Sequence, residues 1–276
     1  MSIEPRTAMN ELAERYRRDG VISVRIINAD EAAHHRSELE RGEAELGPLH
    51  YLDKVHTVMT SPYRLATLPA VLDLVESLIG PDVLLYNCTY IIKEPGSEAF
   101  VAWHQDLTYW GLDDPQAQVS MWLALAPATV ESGCMSMIPG SHISGPMDHV
   151  QDATDANLLL MGQRVSAVDT SAATAYPLAP GEASFHHGWT VHASGPNTTS
   201  ERRIGLNVQY LAAHNRHVSG DAMSAMLVRG DDAFGHFGVD VAPESDFEPP
   251  AVSNWRGLDS AMKAGFKGGP DADSSA

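Results

Sequence analysis

Cysteine is scarce in this chain, with only Cys88 and Cys134 among 276 residues. They lie far apart with no CxxC or Cys-His spacing, which excludes a disulfide framework and a zinc ribbon. Positive charge is short as well. Lys and Arg number 18 against 36 Asp and Glu, for a formal net charge of −18, and nine of those 18 fall in residues 1–64. So acidic a chain repels phosphate backbones and anionic lipid, so no nucleic acid and no membrane is expected as partner. No apolar run is long enough to span a bilayer. The first twenty residues, MSIEPRTAMNELAERYRRDG, lack the apolar centre of a signal peptide. The expectation is a soluble, cytoplasmic protein whose partner is a small molecule, with room for a homodimer.

What is present suits a large β-rich core. Hydrophobic residues make up 43%, and 22 Gly with 17 Pro imply many turns. Residues 5–19 read as a helix, with Met9, Leu12, Ala13 and Tyr16 on one stripe and Gly20 as its stop. VISVRII (21–27) reads as a strand, and Asn28 or Asp30 can cap a second helix to about Glu45. LPAVLDLVESLIG (68–80) is a third helix, closed by Gly80. The texture then changes to strands: VLLYNCTYIIK (83–93), AFVAWHQD (99–106), VSMWLALA (119–126), CMSMIPG (134–140), EASFHHGWTVHAS (182–194) and IGLNVQYLAA (204–213). Residues 141–175 lack clear periodicity, as an active-site cover or mobile loop would.

Helices followed by antiparallel strands predict a mainly β protein. Its core is a double-stranded β-helix, the jelly-roll or cupin-like arrangement, with the N-terminal helices packed on one sheet. One domain is expected over 1–266: a helical part at 1–80, a β core at 81–213 and a C-terminal extension at 214–266. Residues 267–276, KGGPDADSSA, are expected to be a disordered tail.

WHQD at 103–106 sets His104 and Asp106 two apart, and on a strand such residues share a face. His192, in TVHASGPN, falls on a later strand. Two imidazoles and one carboxylate on one face of an octahedron leave positions open for a chelating co-substrate and O2, the ligand set of non-haem Fe(II) oxygenases. Zinc hydrolases share this set, so the triad by itself leaves the metal open.

Three blocks extend the triad: WHQDLTYWGL (103–112), SMWLALAPATVESGCMSMIPGSH (120–142) and PGEASFHHGWTVHASGPNTTSERR (180–203). In this order they resemble the phytanoyl-CoA dioxygenase family, and the resemblance runs from about residue 20 to residue 213. It implies an Fe(II)/2-oxoglutarate-dependent dioxygenase, with ascorbate helpful in vitro. Arg203, eleven positions past His192, matches the family residue that takes the far carboxylate of 2-oxoglutarate, while Arg202 does not. A guanidinium suits that task because it forms a bidentate, charge-assisted pair with a carboxylate. Ser194 would add a hydroxyl, and Gln105 and Trp122 match positions lining the co-substrate pocket. Relatives that halogenate replace the carboxylate ligand, so Asp106 implies hydroxylation, with desaturation or ring formation open to the same site.

Tyr109, Trp110, Asn87, Tyr90, Tyr51, Lys54, His56 and Lys93 are candidates for the substrate side, with Lys54 and His56 offering a cationic patch. His186 and His187 read as part of the same strand as His192, and alternation turns His186 towards the site. His142, in PGSH, is read as bracing a turn. The chain resembles the small bacterial branch of the family; it ends in DSSA rather than a peroxisomal signal. The implied reaction is hydroxylation of an unactivated C–H of a small polar metabolite. The first candidate is an aminoalkylphosphonate (2-aminoethylphosphonate or an N-methylated analogue), at the carbon next to phosphorus. Alternatives are a free amino acid, a betaine- or ectoine-like compound, or a natural-product scaffold. Of other classes, a zinc-dependent hydrolase would have no need of Arg203, and a non-catalytic jelly-roll binding module no need of the triad.

Overall fold

The computed structural model describes residues 5–108, 110–151, 154, 156–159, 162–218 and 223–267. Helix α1 (Pro5–Asp19) stops at Gly20, whose φ of 71° only glycine adopts cheaply. Strand β1 (Val21–Arg25) follows, then α2 (Ala29–Leu46). Asn28, not Asp30, caps α2. Its side-chain oxygen accepts from Glu31 N–H at 2.9 Å, and Glu31 accepts from Asn28 N–H at 2.9 Å, a reciprocal capping box. Helices α3 (Thr60–Ala66) and α4 (Pro69–Ile79) follow. Proline at the start of α4 and Gly80 after it bound the periodic run seen in the sequence.

The strands are β2 (Val83–Lys93), β3 (Val101–His104), β4 (Gln118–Ala124) and β5 (Met135–Met137). Next come β6 (His149–Gln151), β7 (Gln163–Val165) and β8 (Thr174–Tyr176). The last five are β9 (Glu182–His186), β10 (His192–Ser194), β11 (Arg203–Ala212), β12 (Ser224–Arg229) and β13 (Gly238–Val239). A seven-stranded sheet runs β1-β9-β4-β11-β2-β12-β13, a four-stranded sheet runs β3-β10-β5-β8, and β6-β7 form a ribbon. This is the two-sheet jelly-roll architecture that the sequence predicts. Helix α5 (Pro249–Lys267) closes the described chain, and the rest of the expected tail, 268–276, lies outside the described residues. No helix of the described residues is long and apolar enough to cross a membrane.

Two differences from the sequence reading matter. EASFHHGWTVHAS is not one strand. It breaks at His187, where a turn closed by Thr190 N–H to His187 O at 2.8 Å sends β9 to one sheet and β10 to the other. Residues 141–175 are less irregular than expected, holding the β6-β7 ribbon, the start of β8 and two short 3-10 turns.

The chain packs as two compact units. The first comprises Met1–His34, Ile91–Thr108 and Met121–Gly205, the second His35–Tyr90, Tyr109–Ser120 and Leu206–Ala276. In the first, α1 lies on β1, which pairs antiparallel with β9, and Val21 opposes His186. Its core gathers Val21, Trp122, Ala124, Cys134, Met135, Met137 and Leu178. Each fully buried Val, Leu or Met contributes about 1.5–3 kcal/mol relative to exposure. In the second, Val71, Leu72, Leu74, Val75 and Ile79 of α4 are buried, and β12 pairs with β2 through Met226 opposite Leu85. Tyr210 O–H donates to Ala66 O at 2.8 Å in that unit.

Candidate metal and co-substrate site

The first unit contains all three residues of the triad. His104 ends β3 and His192 begins β10; they oppose each other across the antiparallel pair, with ring centroids 4.1 Å apart. Asp106 lies past the strand, at the start of a 3-10 turn over Asp106–Thr108, so a tight turn rather than strand alternation aims its carboxylate. The three donor atoms lie within 4.8 Å of one another.

The two imidazoles are oriented alike. His104 Nδ1 lies 2.9 Å from Ala102 O, and His192 Nδ1 lies 2.9 Å from Thr190 O. A carbonyl can only accept, so each Nδ1 carries the proton and each Nε2 lone pair is left facing inward. Those Nε2 atoms stand 3.4 and 3.6 Å from Asp106 Oδ1. Burial and the neighbouring His104 push His192 down to about 3, so its lone pair is available at neutral pH. Burial works to raise Asp106, but His192, His104 and His186 facing it hold it well below the usual carboxylate range. Two imidazole nitrogens and one ionised carboxylate oxygen, all within 4.8 Å of one another, fit a divalent metal ion.

His186 joins them from β9, in the other sheet. Its Nε2 lies 3.3 Å from Asp106 Oδ2, and its ring centroid 4.9 Å from that of His192. Its approach to the site therefore comes from sheet-to-sheet packing, not from sharing a strand with His192. Gln105 lies between the ligand positions with its amide committed elsewhere. It donates to Gly145 O at 2.9 Å and Trp189 O at 2.8 Å and accepts from Met147 N–H at 2.8 Å. Gln105 thereby ties down two loops beside the triad. His142 braces its turn, with Nε2 at 3.2 Å from Arg17 O.

Two residues beyond His192 on β10 lies Ser194, buried, whose Oγ accepts from Lys93 Nζ at 2.8 Å. Lys93 also donates to Ser194 O at 3.1 Å and to Gly195 O. All three are neutral acceptors. Burial, and after it the Arg203 guanidinium, pushes Lys93 down to about 7. Arg203 opens β11, is 1% exposed, and lies over the Trp122 ring with its central carbon 5.1 Å from the centroid. Arg202 turns outward and pairs with Glu94 at 2.8 Å. Asn197 holds the β10–β11 loop by donating to Lys93 O, Glu94 O and Glu201 O at 3.0, 3.1 and 2.8 Å. Lys93, Arg203 and the Ser194 hydroxyl are buried along the strand that carries a triad histidine, a set of groups whose chemistry suits an anion. Lys93, a substrate-side candidate in the sequence, lies against Ser194 and near Arg203. A lysine ending a buried strand is the sequence signal for it.

The remaining candidates fall in the second unit. Lys54 is not a cation open to an anionic substrate. It is 1% exposed, paired with Asp240 at 2.9 Å, and donates to Ser224 O at 2.6 Å and to Tyr86 O. Asn87 accepts from Lys54 N–H at 2.8 Å and donates to Asp53 at 2.7 Å. His56 is buried, with Nε2 3.9 Å from Asp240 Oδ2; burial and then Lys54 hold it neutral, well below its usual value. Trp110 packs on Tyr86 at 6.1 Å, and Tyr90 O accepts from Tyr51 N–H at 3.0 Å. Lys54, Asn87, Asp53 and Asp240 are joined by hydrogen bonds, whereas both ring nitrogens of His56 are buried without a hydrogen-bond partner. Tyr109 lies outside the described residues.

Residues 6–205 match the profile of a family described as "Phytanoyl-CoA dioxygenase (PhyH)". Among curated proteins, the bovine peroxisomal phytanoyl-CoA dioxygenase is 26% identical over 169 residues, 59% of this chain and 49% of that protein. The "Probable alpha-ketoglutarate-dependent hypophosphite dioxygenase" of Stutzerimonas stutzeri is 28% identical over 145 residues, 52% of this chain and 50% of that one. The L-proline trans-4-hydroxylase of Streptomyces griseoviridis is 28% identical over 198 residues, 62% and 69% respectively. The chain thus spans about half the length of the first two relatives. Among solved structures, the apo form of the non-heme monooxygenase ThoJ superposes with a TM-score of 0.83 at 32% identity, covering 93% of this chain and 97% of that one.

Proposed function

The chain belongs to the phytanoyl-CoA dioxygenase family, and from that premise we propose that it is an Fe(II)/2-oxoglutarate-dependent dioxygenase that hydroxylates a small polar metabolite. The observation that carries this reading is the continuity of β10. One short strand bears His192 of the triad and, two residues on, Ser194 beside Lys93 and Arg203. A metal site next to a deep anion site suits a 2-oxoacid with a second carboxylate. His104, Asp106 and His192 would hold the iron; Arg203, Lys93 and Ser194 would take the far carboxylate, with the Arg203 guanidinium over the Trp122 ring.

When bound, the iron and 2-oxoglutarate activate O2, so that a substrate C–H becomes C–OH as the co-substrate becomes succinate and CO2. The chain's own part is to position and to exclude water. The carbonyls of Ala102 and Thr190 hold both imidazoles in the ligating tautomer, and Gln105 fixes the loops at Gly145, Met147 and Trp189. Asp106 fills the position that chloride would need, which favours hydroxylation over halogenation.

For the substrate, an amino-acid-like zwitterion ranks first. The proline hydroxylase relative supports it, and the pairing of Lys54 with Asp240 removes the cation offered to a phosphonate. An aminoalkylphosphonate, suggested by the hypophosphite dioxygenase relative, stands second. The test is anaerobic addition of 2-oxoglutarate to the Fe(II)-loaded protein, followed by succinate release against a panel of amino acids, betaines and phosphonates. A visible metal-to-ligand charge-transfer band is expected, with succinate formed in step with one class of substrate. Arg203→Ala should raise KM for 2-oxoglutarate by roughly tenfold or more, the loss of a hydrogen bond to a charged group. An absent band, or an indifferent Arg203→Ala, sinks the reading.

A further inference from the structure

The structure assigns His186 a role as the positioning residue that makes Asp106 a one-oxygen ligand. This rests on the triad holding a metal as proposed above. The two oxygens of Asp106 face different neighbours. Oδ1 looks to His104 and His192, with their Nε2 atoms at 3.4 and 3.6 Å, whereas Oδ2 looks to His186, with Nε2 at 3.3 Å. The His186 ring is 2% exposed, and its Nδ1 has no hydrogen-bond partner. The contact with Asp106 is therefore the polar anchor of this ring. Because Oδ2 is an acceptor, an N–H is assigned to Nε2.

Holding that oxygen has a consequence for the coordination sphere. A carboxylate left to itself can grip a metal with both oxygens, and the second oxygen would take one of the three positions that a chelating co-substrate and O2 require. His186 reaches Asp106 from β9 in the seven-stranded sheet, while His104 and His192 come from the four-stranded sheet. The contact from His186 thus holds Oδ2 from the seven-stranded sheet and opposes rotation of the carboxylate, leaving Oδ1 facing the two ligating nitrogens.

The test uses Mn(II) as the probe and the relaxation of bulk water protons as the readout, since each open position on the metal carries an exchanging water. The wild-type protein with Mn(II) should show the relaxivity of three exchanging waters. His186→Phe, which keeps the volume and removes the donor, should lose one and show roughly a third less. His186→Gln, which keeps an N–H, should restore the wild-type value. With Fe(II) and 2-oxoglutarate, kcat should fall in the Phe variant while KM for 2-oxoglutarate holds, because Arg203, Lys93 and Ser194 are untouched. Should the Phe variant not fold, His186→Ala carries the same readout. A Mn(II)-bound Phe or Ala variant with wild-type relaxivity overturns the role of His186. Failure of the wild-type protein to bind Mn(II) at all is a separate result, and it overturns the functional reading.

Discussion

Lys93 ends β2, and its amine is surrounded by carbonyl and hydroxyl oxygens rather than by a carboxylate. Burial and the nearby Arg203 lower it to about 7, against an ordinary value near 10.4. The sign of the effect on folding follows. Between about pH 7 and 10 the unfolded chain keeps a proton that the folded chain has released. The unfolded state thus binds more protons, and this group's contribution to stability improves as pH rises through that window. Co-substrate binding runs the other way. The charged amine present below about pH 7 attracts a carboxylate, and the neutral amine above it does not. KM for 2-oxoglutarate is therefore expected to rise as pH is raised from 6 to 8. In Lys93→Met it should be high already at pH 6 and should not climb further for this reason. Steady-state kinetics at three pH values decides the matter, and a wild-type KM flat in pH rejects it.

At the scale of elements, β11 and β4 illustrate how packing prepares the anion site. A Cβ on Gly205 would lie 1.9 Å from Cζ2 of Trp122, so the glycine leaves room for the indole over which Arg203 lies. Gly205→Ala should displace that ring, costing about 1–3 kcal/mol as overpacking does and raising KM for 2-oxoglutarate together with the loss of stability. Thermal melts and kinetics on the one variant test both, and an unchanged KM would separate the ring from the site. Such long-range fits are invisible in the sequence, where Gly205 is merely a glycine in an apolar run. What was legible there has local causes. The run 83–93 is bounded as β2 because its β-branched and aromatic residues end at Lys93 and Glu94, and α4 was readable from its proline and glycine stops. The β9–β10 break was not legible, because apolar and polar residues keep alternating across the Gly188 turn. The alternation that turns His186 towards the site presumes one continuous strand, whereas His186 reaches it from the other sheet. Lys54 failed for another reason: a charge reads as solvated until Asp240, 186 residues away, is folded onto it.

For the whole molecule, the dominant electrostatic fact is the net charge of −18. On the proposed reading, 2-oxoglutarate is a dianion that would approach through that field before meeting Lys93 and Arg203. The two influences differ in range, and that difference decides which is seen. The net field acts over distances that salt controls, since the screening length falls from about 30 Å at 0.01 M to about 8 Å at 0.15 M. The cation pair acts at contact, buried, where mobile ions screen it little. Raising ionic strength should thus weaken the repulsion more than the attraction. We expect kcat/KM for 2-oxoglutarate to increase between about 0.01 and 0.15 M salt and to level off beyond, while kcat, set within the site, stays level. Kinetics in a non-coordinating salt provides the measurement. A kcat/KM that falls over the same interval would mean that the local cations, rather than the acidic surface, govern the approach.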